Sequence, residues 1–119
     1  MPFQVNESKD IEAFISEHLM SSIHDVALKL SKRKDLPMEY ILQQINGRKK
    51  QPYKFPFLKN YPDFIYPSSR ALSQASSEST ACFKANLVQG NRMLDLTGGM
   101  GIDSYFFAQH FSTVDYIEK

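Results

Sequence analysis

Long apolar runs are missing from this 119-residue chain. No stretch approaches the roughly 20 consecutive apolar residues that a membrane-spanning helix needs. The N-terminal Met1-Pro2-Phe3-Gln4 has no basic segment leading into an apolar core, so nothing there reads as a secretory signal. One cysteine, Cys82, cannot form a disulfide within the chain, and three scattered histidines, His18, His24 and His110, give no zinc-ligand spacing with it. Neither sign of charge dominates, the formal net charge being +1, and with 42% apolar residues this excludes a chain that is disordered throughout. Gly-x-Ser-x-Gly elbows and phosphate-binding P-loops are absent too. The expectation is a soluble, cytoplasmic protein with room for one folded domain.

What is present divides into three stretches. Residues 1–47 read as a helical module. Asn6 or Ser8 can open a helix whose apolar positions Ile11, Phe14, Ile15 and Leu19 recur at helical spacing. A second helix buries Ile23, Val26, Ala27 and Leu30, with Ser22 and Asp25 at capping-box spacing. Asp35-Leu36-Pro37 closes it and starts a third, Asp35 serving as a cap. Met38, Ile41, Leu42 and Ile45 form the third helix's buried stripe, and Gly47 is its predicted stop.

Residues 48–67 have a different texture. Arg48, Lys49, Lys50, Lys54 and Lys59 interleave with Tyr53, Phe55, Phe57, Tyr61, Phe64 and Tyr66, and Pro52, Pro56, Pro62 and Pro67 argue for an extended connector. Two readings stand. Arg48, Lys49, Lys50 and Lys54 could contact phosphates while the rings stack on the bases of a single-stranded nucleic acid. Alternatively the rings pin the connector to its neighbours, and the lysines are solvated.

From Ser68 to Gln89 a helix is again expected, with Ala71, Leu72, Ala75, Phe83, Leu87 and Val88 as buried positions and Cys82 at least half-buried. Ser76, Ser77, Ser79 and Thr80 are more hydroxyls than a purely structural helix favours. This polar cluster either lines a cleft or, for Glu78 and Lys84, lies on a solvated face.

The richest signal is Met93-Leu94-Asp95-Leu96-Thr97-Gly98-Gly99-Met100-Gly101-Ile102-Asp103, a strand that delivers a carboxylate and a glycine-rich turn to a helix N-terminus. A helix over about 101–110 should bury Ile102, Tyr105, Phe106 and Phe111. Residues 112–118 then read as a second strand ending in an acid, Glu118, about one strand-helix-strand unit after Asp95 and so near a ribose-binding position. This is the geometry of an adenosine-cofactor site. A dinucleotide fingerprint would carry a third glycine where Ser104 stands, and a carboxylate at Asp95 would repel a pyrophosphate while suiting a cationic amino group. S-adenosylmethionine answers that description better than a nicotinamide cofactor.

Asp95 to Asp103 resembles motif I of class I S-adenosylmethionine-dependent methyltransferases, in the D-x-T-x-G-x-G-x-D form common among RNA-modifying members. Gln74 to Lys84 resembles the block that precedes motif I in bacterial RNA methyltransferases carrying a THUMP-like domain, and the helical N-terminus is similar as well. The resemblance implies an α/β fold: a helical N-terminal module followed by the first β-α-β unit of a Rossmann-like sheet, residues 68–119 opening the methyltransferase domain. It implies a cofactor site of Asp95, Thr97, Gly98, Gly99, Gly101, Asp103 and Glu118, with Gln74, Ser77 and Glu78 nearby, and RNA as the methyl acceptor. Two parallel strands do not make a covered sheet. The expectation is therefore a truncated domain, inactive by itself, able to self-associate through its open sheet edge, with the acceptor-site residues beyond Lys119. The competing reading is a non-enzymatic nucleic-acid-binding or protein-interaction module built from the helices and the basic connector.

Overall fold

Three amphipathic helices each contribute one i, i+4 pair to a shared core. Helix α1 (Val5–Glu17) supplies Ile11 and Ile15, α2 (Ile23–Ser31) supplies Val26 and Leu30, and α3 (Met38–Lys54) supplies Ile41 and Ile45, all buried together. Residues four apart lie one above the other on a helix, so each pair forms a short apolar ridge. Burying a side chain of this size is worth about 1.5 to 3 kcal/mol. The computed structural model describes residues 5–96 and 99–117 of the chain. Thr97, Gly98 and Glu118 lie outside the described residues.

The cap predicted for α2 is present: Ser22 Oγ accepts a hydrogen bond from the Asp25 backbone N–H at 3.1 Å. Asp35 does not cap α3. Its carboxylate instead accepts two bonds from the Arg33 guanidinium, at 3.0 and 2.9 Å, and Pro37 holds the N-cap position with extended backbone. Met38, at the exposed start of α3, is not part of the stripe.

Gly47 does not stop α3, which runs seven residues further to Lys54 and carries Pro52 in its last turn. The boundary expected after residue 47 therefore falls inside a helix. The glycine serves the tertiary structure instead: a Cβ built on Gly47 would lie 2.2 Å from Cγ of Tyr66, so the bare helix backbone is the seat of that ring. Pro52 has no N–H to donate to the Arg48 carbonyl, and the helix ends two residues later, where the Phe55 N–H closes it on the Gln51 carbonyl at 3.0 Å. A 3-10 helix, Pro56–Asn60, follows where an extended path was expected.

Phe55 opens a second core with Leu58, Tyr66 and Leu72, completed by Ala81, Ala85, Ile102 and Phe106. The segment predicted as one helix over 68–89 is two, α4 (Ser69–Gln74) and α5 (Glu78–Ala85), because Ala75 turns to extended backbone and Ser77 caps α5 through the Thr80 N–H. Ala81 and Ala85 form the buried ridge of α5, small enough for α6 (Ile102–Phe107) to pack closely on it. Phe83 lies two residues off that ridge and is 66% exposed; Leu87 and Val88 are exposed as well. Cys82 is half-buried.

Strands β1 (Gly90–Asp95) and β2 (Phe111–Tyr116) pair in parallel, with α6 as the crossover, and Asp95 stands opposite Tyr116 in the register. This is the mixed α/β, partial Rossmann-like unit expected. Phe111 belongs to β2 rather than to the helix, and Tyr105 is partly exposed instead of buried. The molecule is elongated, 52 × 27 × 25 Å, with a radius of gyration of 16.7 Å against about 13.5 Å for a compact chain of this length. Among the described residues no helix is long and apolar enough to cross a membrane.

Candidate cofactor site at the glycine turn

In a parallel sheet the strands end together, and a ligand binds in the crevice beyond their carboxyl ends. Asp95 is the last residue of β1 and is only 7% exposed. A buried carboxylate needs partners, and Ser104 Oγ donates to Asp95 Oδ2 at 2.7 Å from the first turn of α6. Ser104 occupies the position where a dinucleotide fingerprint would have its third glycine. The residue that breaks that fingerprint thus bonds the acid, a role that only the folded geometry shows.

Among the described residues between strand and helix, the backbone is left-handed at Gly99 (φ 63°) and Gly101 (φ 79°). A side chain is strained there, and β-branched residues are excluded outright. Tyr116, opposite Asp95, donates its hydroxyl to the Gly99 carbonyl, and its ring lies 3.6 Å from where a Gly101 Cβ would stand. The second strand therefore braces the turn that follows the first.

Asp103, in the first turn of α6, is tied to the segment between α4 and α5. Lys84 Nζ lies 2.9 Å from Asp103 Oδ1, Ser76 Oγ donates to Asp103 Oδ2 at 3.0 Å, and Lys84 Nζ also donates to Ser76 Oγ at 2.9 Å. This closed triangle anchors the start of α6 to α5. Ser77 is spent on the α5 cap, and Glu78 Oε2 accepts the Phe57 backbone N–H at 2.9 Å, holding the 3-10 helix against α5. Gln74 ends α4 and is exposed. The structure thus brings Asp95, Gly99, Gly101 and Asp103 together at one turn, with Ser77 and Glu78 next to Ser76, its link to α5.

The four cations Arg48, Lys49, Lys50 and Lys54 lie on the last two turns of α3, and three of them bond to other parts of the chain. Arg48 grips both carboxylate oxygens of Glu12 at 2.7 and 2.8 Å, which holds the Glu12 carboxyl below its ordinary range. Lys49 donates to the Ser21 carbonyl, and Lys54 to the carbonyls of Leu72 and Ser73 at 2.6 and 3.2 Å. Partial burial holds the Lys54 ammonium below its ordinary range. These partners are 18 to 36 residues distant in sequence and could not be read from local spacing. His18 is likewise structural, its Nδ1 bonded to the Phe14 carbonyl at 2.9 Å and its ring stacked on Phe14. Among the described residues no three His, Cys, Asp or Glu side chains group as metal ligands.

Two hollows flank the turn. One, of about 190 Å³, lies between the 3-10 helix and the start of α6; the other, of about 350 Å³, lies beside Gly99 and Met100, against Phe64, Ile65, Pro67 and Ala71. Met100 and Phe64 line both.

No family model matches the chain, and no curated protein matches it either. Among solved structures it is similar to one described as a putative methyltransferase from Porphyromonas gingivalis W83, with a TM-score of 0.67 and 28% sequence identity over 100% of this chain. The chain spans 30% of the length of that protein.

Proposed function

We propose that this chain forms the part of an S-adenosylmethionine site that holds the methionine end of the cofactor, in a methyltransferase acting on RNA. The observation that carries the reading is Asp95: a carboxylate 7% exposed, fixed by Ser104 at the end of a parallel strand, opening onto two glycines with positive φ. Such a site fits the cofactor, because a fixed carboxylate favours an ammonium group and a backbone free of Cβ atoms admits a ligand at van der Waals distance. Asp95, Gly99 and Gly101 would hold it. By the motif resemblance Thr97 and Gly98 would complete the turn, and Glu118 would accept hydrogen bonds from the ribose hydroxyls. When bound, the cofactor supplies a methyl carbon made electrophilic by its sulfonium. The chain's own task is alignment: Ser104 fixes the acid, Tyr116 braces the turn, and the Lys84–Ser76–Asp103 triangle sets α6 beneath it.

RNA as acceptor rests on the resemblance of the Gln74 to Lys84 block. The cations of α3 lend it no separate support, since Arg48, Lys49 and Lys54 each have partners within the chain that account for them structurally. The same observation weakens the reading as a stand-alone nucleic-acid-binding module.

Calorimetric titration of the full-length gene product with S-adenosylmethionine tests the assignment. Asp95→Asn keeps the shape and an acceptor for Ser104 but removes the charge, and should weaken binding at least about tenfold, since a hydrogen bond to a charged group is worth roughly 1.5 to 3 kcal/mol. Ser104→Ala should cost less, roughly threefold. Wild-type affinity in Asp95→Asn, with circular dichroism unchanged, would remove Asp95 from the site.

A further inference from the structure

Charge is unevenly spread along this chain. Between Glu39 and Glu78 stand six cations and a single acid, Asp63, so this segment carries +5 while the rest of the chain carries −4. We propose that the outer face of α3 near its C-terminal end, formed by Lys49, Lys50, Tyr53 and Lys54, holds a single-stranded nucleic acid, with phosphates on the lysines and one base on the ring. The proposal rests on the RNA reading above, for which it supplies a contact surface, and is independent of the cofactor.

Helical geometry sets the face. Ile41, Gln44, Ile45 and Gly47 turn inward, and Tyr53 lies on the opposite side, 90% exposed. Residues three and four apart are neighbours on a helix, so Lys49 and Lys50 flank the ring one turn back, and Lys54 follows it in the chain. Other rings of this stretch are occupied: Phe55 and Tyr66 belong to the core, Phe57 stacks on Tyr105, and Phe64 meets Tyr66 edge-on. Among the described residues Tyr53 has neither a ring contact nor a hydrogen-bond partner.

The charge of this face is uncompensated. Lys49 and Lys54 donate to the carbonyls of Ser21, Leu72 and Ser73, which fixes where they sit, but a carbonyl does not neutralise an ammonium. Ion pairs among the described residues take up Arg33, Arg48, Lys84 and Arg92 and none of these three lysines. Burial first, and then the charge of Lys50, hold the Lys54 ammonium below its ordinary range, so the two like charges repel and an anion laid across them relieves the repulsion. The charge of one side chain identifies no partner. Three cations around an exposed ring match a strand whose phosphates are anionic and whose unpaired bases stack. An acidic peptide would leave the ring unused. A membrane-surface helix sets its cations opposite a broad apolar face, whereas here the cations and the ring share one face and the apolar face is spent on the core.

A fluorescein-labelled oligouridylate of about twelve nucleotides would be titrated with the full-length protein and followed by anisotropy. Duplex RNA of the same length, polyglutamate and vesicles of phosphatidylglycerol serve as competitors. Three lysines on phosphates, at about −0.7 per contact, should give log affinity a slope of about −2 against log salt. Tyr53→Leu should weaken binding at least about fivefold, the lower end of what one stacked base contributes, with the slope unchanged. Lys50→Gln should flatten the slope by about 0.7. Neither side chain has a bonding partner among the described residues, so the fold should survive both changes, which circular dichroism verifies, and S-adenosylmethionine affinity should stay within about twofold. Polyglutamate or vesicles that compete as well as unlabelled oligouridylate would overturn the proposal, and so would equal affinity for the duplex. Oligouridylate binding that both variants retain, slopes included, would place the strand elsewhere; this surface would then fall while the RNA reading stands. A protein that takes S-adenosylmethionine but no oligonucleotide would lose both, with its cofactor site intact.

Discussion

Gln44→Ala is expected to destabilise the protein by roughly 3 kcal/mol, lowering the melting temperature by roughly 10 °C. Gln44 is 2% exposed and sits on α3, where its amide makes a reciprocal pair with one residue of the returning chain: Nε2 donates to the Tyr66 carbonyl and Oε1 accepts the Tyr66 N–H, both at 2.9 Å. The segment around Tyr66 has no strand partner or helix to satisfy its backbone. The glutamine side chain therefore does for this loop what a sheet ladder does for a strand. Truncation leaves a buried donor and a buried acceptor unpaired, each at roughly 1 to 3 kcal/mol, with a cavity between them. Gln43, next in the chain and bonded only to Glu39 at 3.4 Å, is the control, and its alanine variant should stay within about 0.5 kcal/mol of wild type. If the two variants melt together, Gln44 does not hold the loop.

Gly47→Ala is the second large effect, and its sign is opposite to what helix propensity alone gives. Inside a helix, alanine is favoured over glycine by about 1 kcal/mol. Here the new methyl would stand 2.2 Å from Cγ, 2.4 Å from Cβ and 2.6 Å from Cδ1 of Tyr66, the root of the side chain rather than its movable end. Tyr66 cannot retreat while Gln44 holds its backbone. Overpacking of this kind costs roughly 1 to 3 kcal/mol and sometimes more, so a net loss of about 2 kcal/mol is expected by chemical denaturation. A stabilised variant would mean that Tyr66 moves freely, and would contradict the Gln44 result as well.

These two residues also show where local reading of the sequence stops. The i, i+4 pairs of α1 to α3 were legible because the core they fill is built from helical periodicity alone, and Ser22 because a cap is a contact three residues long. The Asp95 strand end and the glycine turn were legible for the same reason, the motif being contiguous. Gly47 was misread because a glycine after Asn46 satisfies the local rule for a helix stop, while its actual partner is 19 residues away at Tyr66. Prolines 52 and 56 suggested an extended path because their local cost was visible and the anchoring of Phe55 and Lys54 was not. At the site, Ser104 and Tyr116 carried no local signal. A serine in the first turn of a helix and a tyrosine in a strand acquire meaning only when the parallel register sets the two strand ends side by side.

Helix α3 belongs to both cores: Ile41 and Ile45 are buried with α1 and α2, and eight residues past Gly47 the chain is already turning at Phe55 into the core that supports α6. Its 17 residues span about 25 Å. A helix cut to half that length is too short to persist in water without packing, so neither core can dissolve and leave the other with its share of α3 intact. Amide hydrogen exchange should accordingly show one slowest opening shared by the middle of α3, the buried turn of α2 and the α5–α6 contact, instead of two separate protection plateaus. Cooperativity across an elongated molecule would then depend on one continuous rod of backbone hydrogen bonds, and the cofactor turn would lose its support in the same event that frees the N-terminal helices.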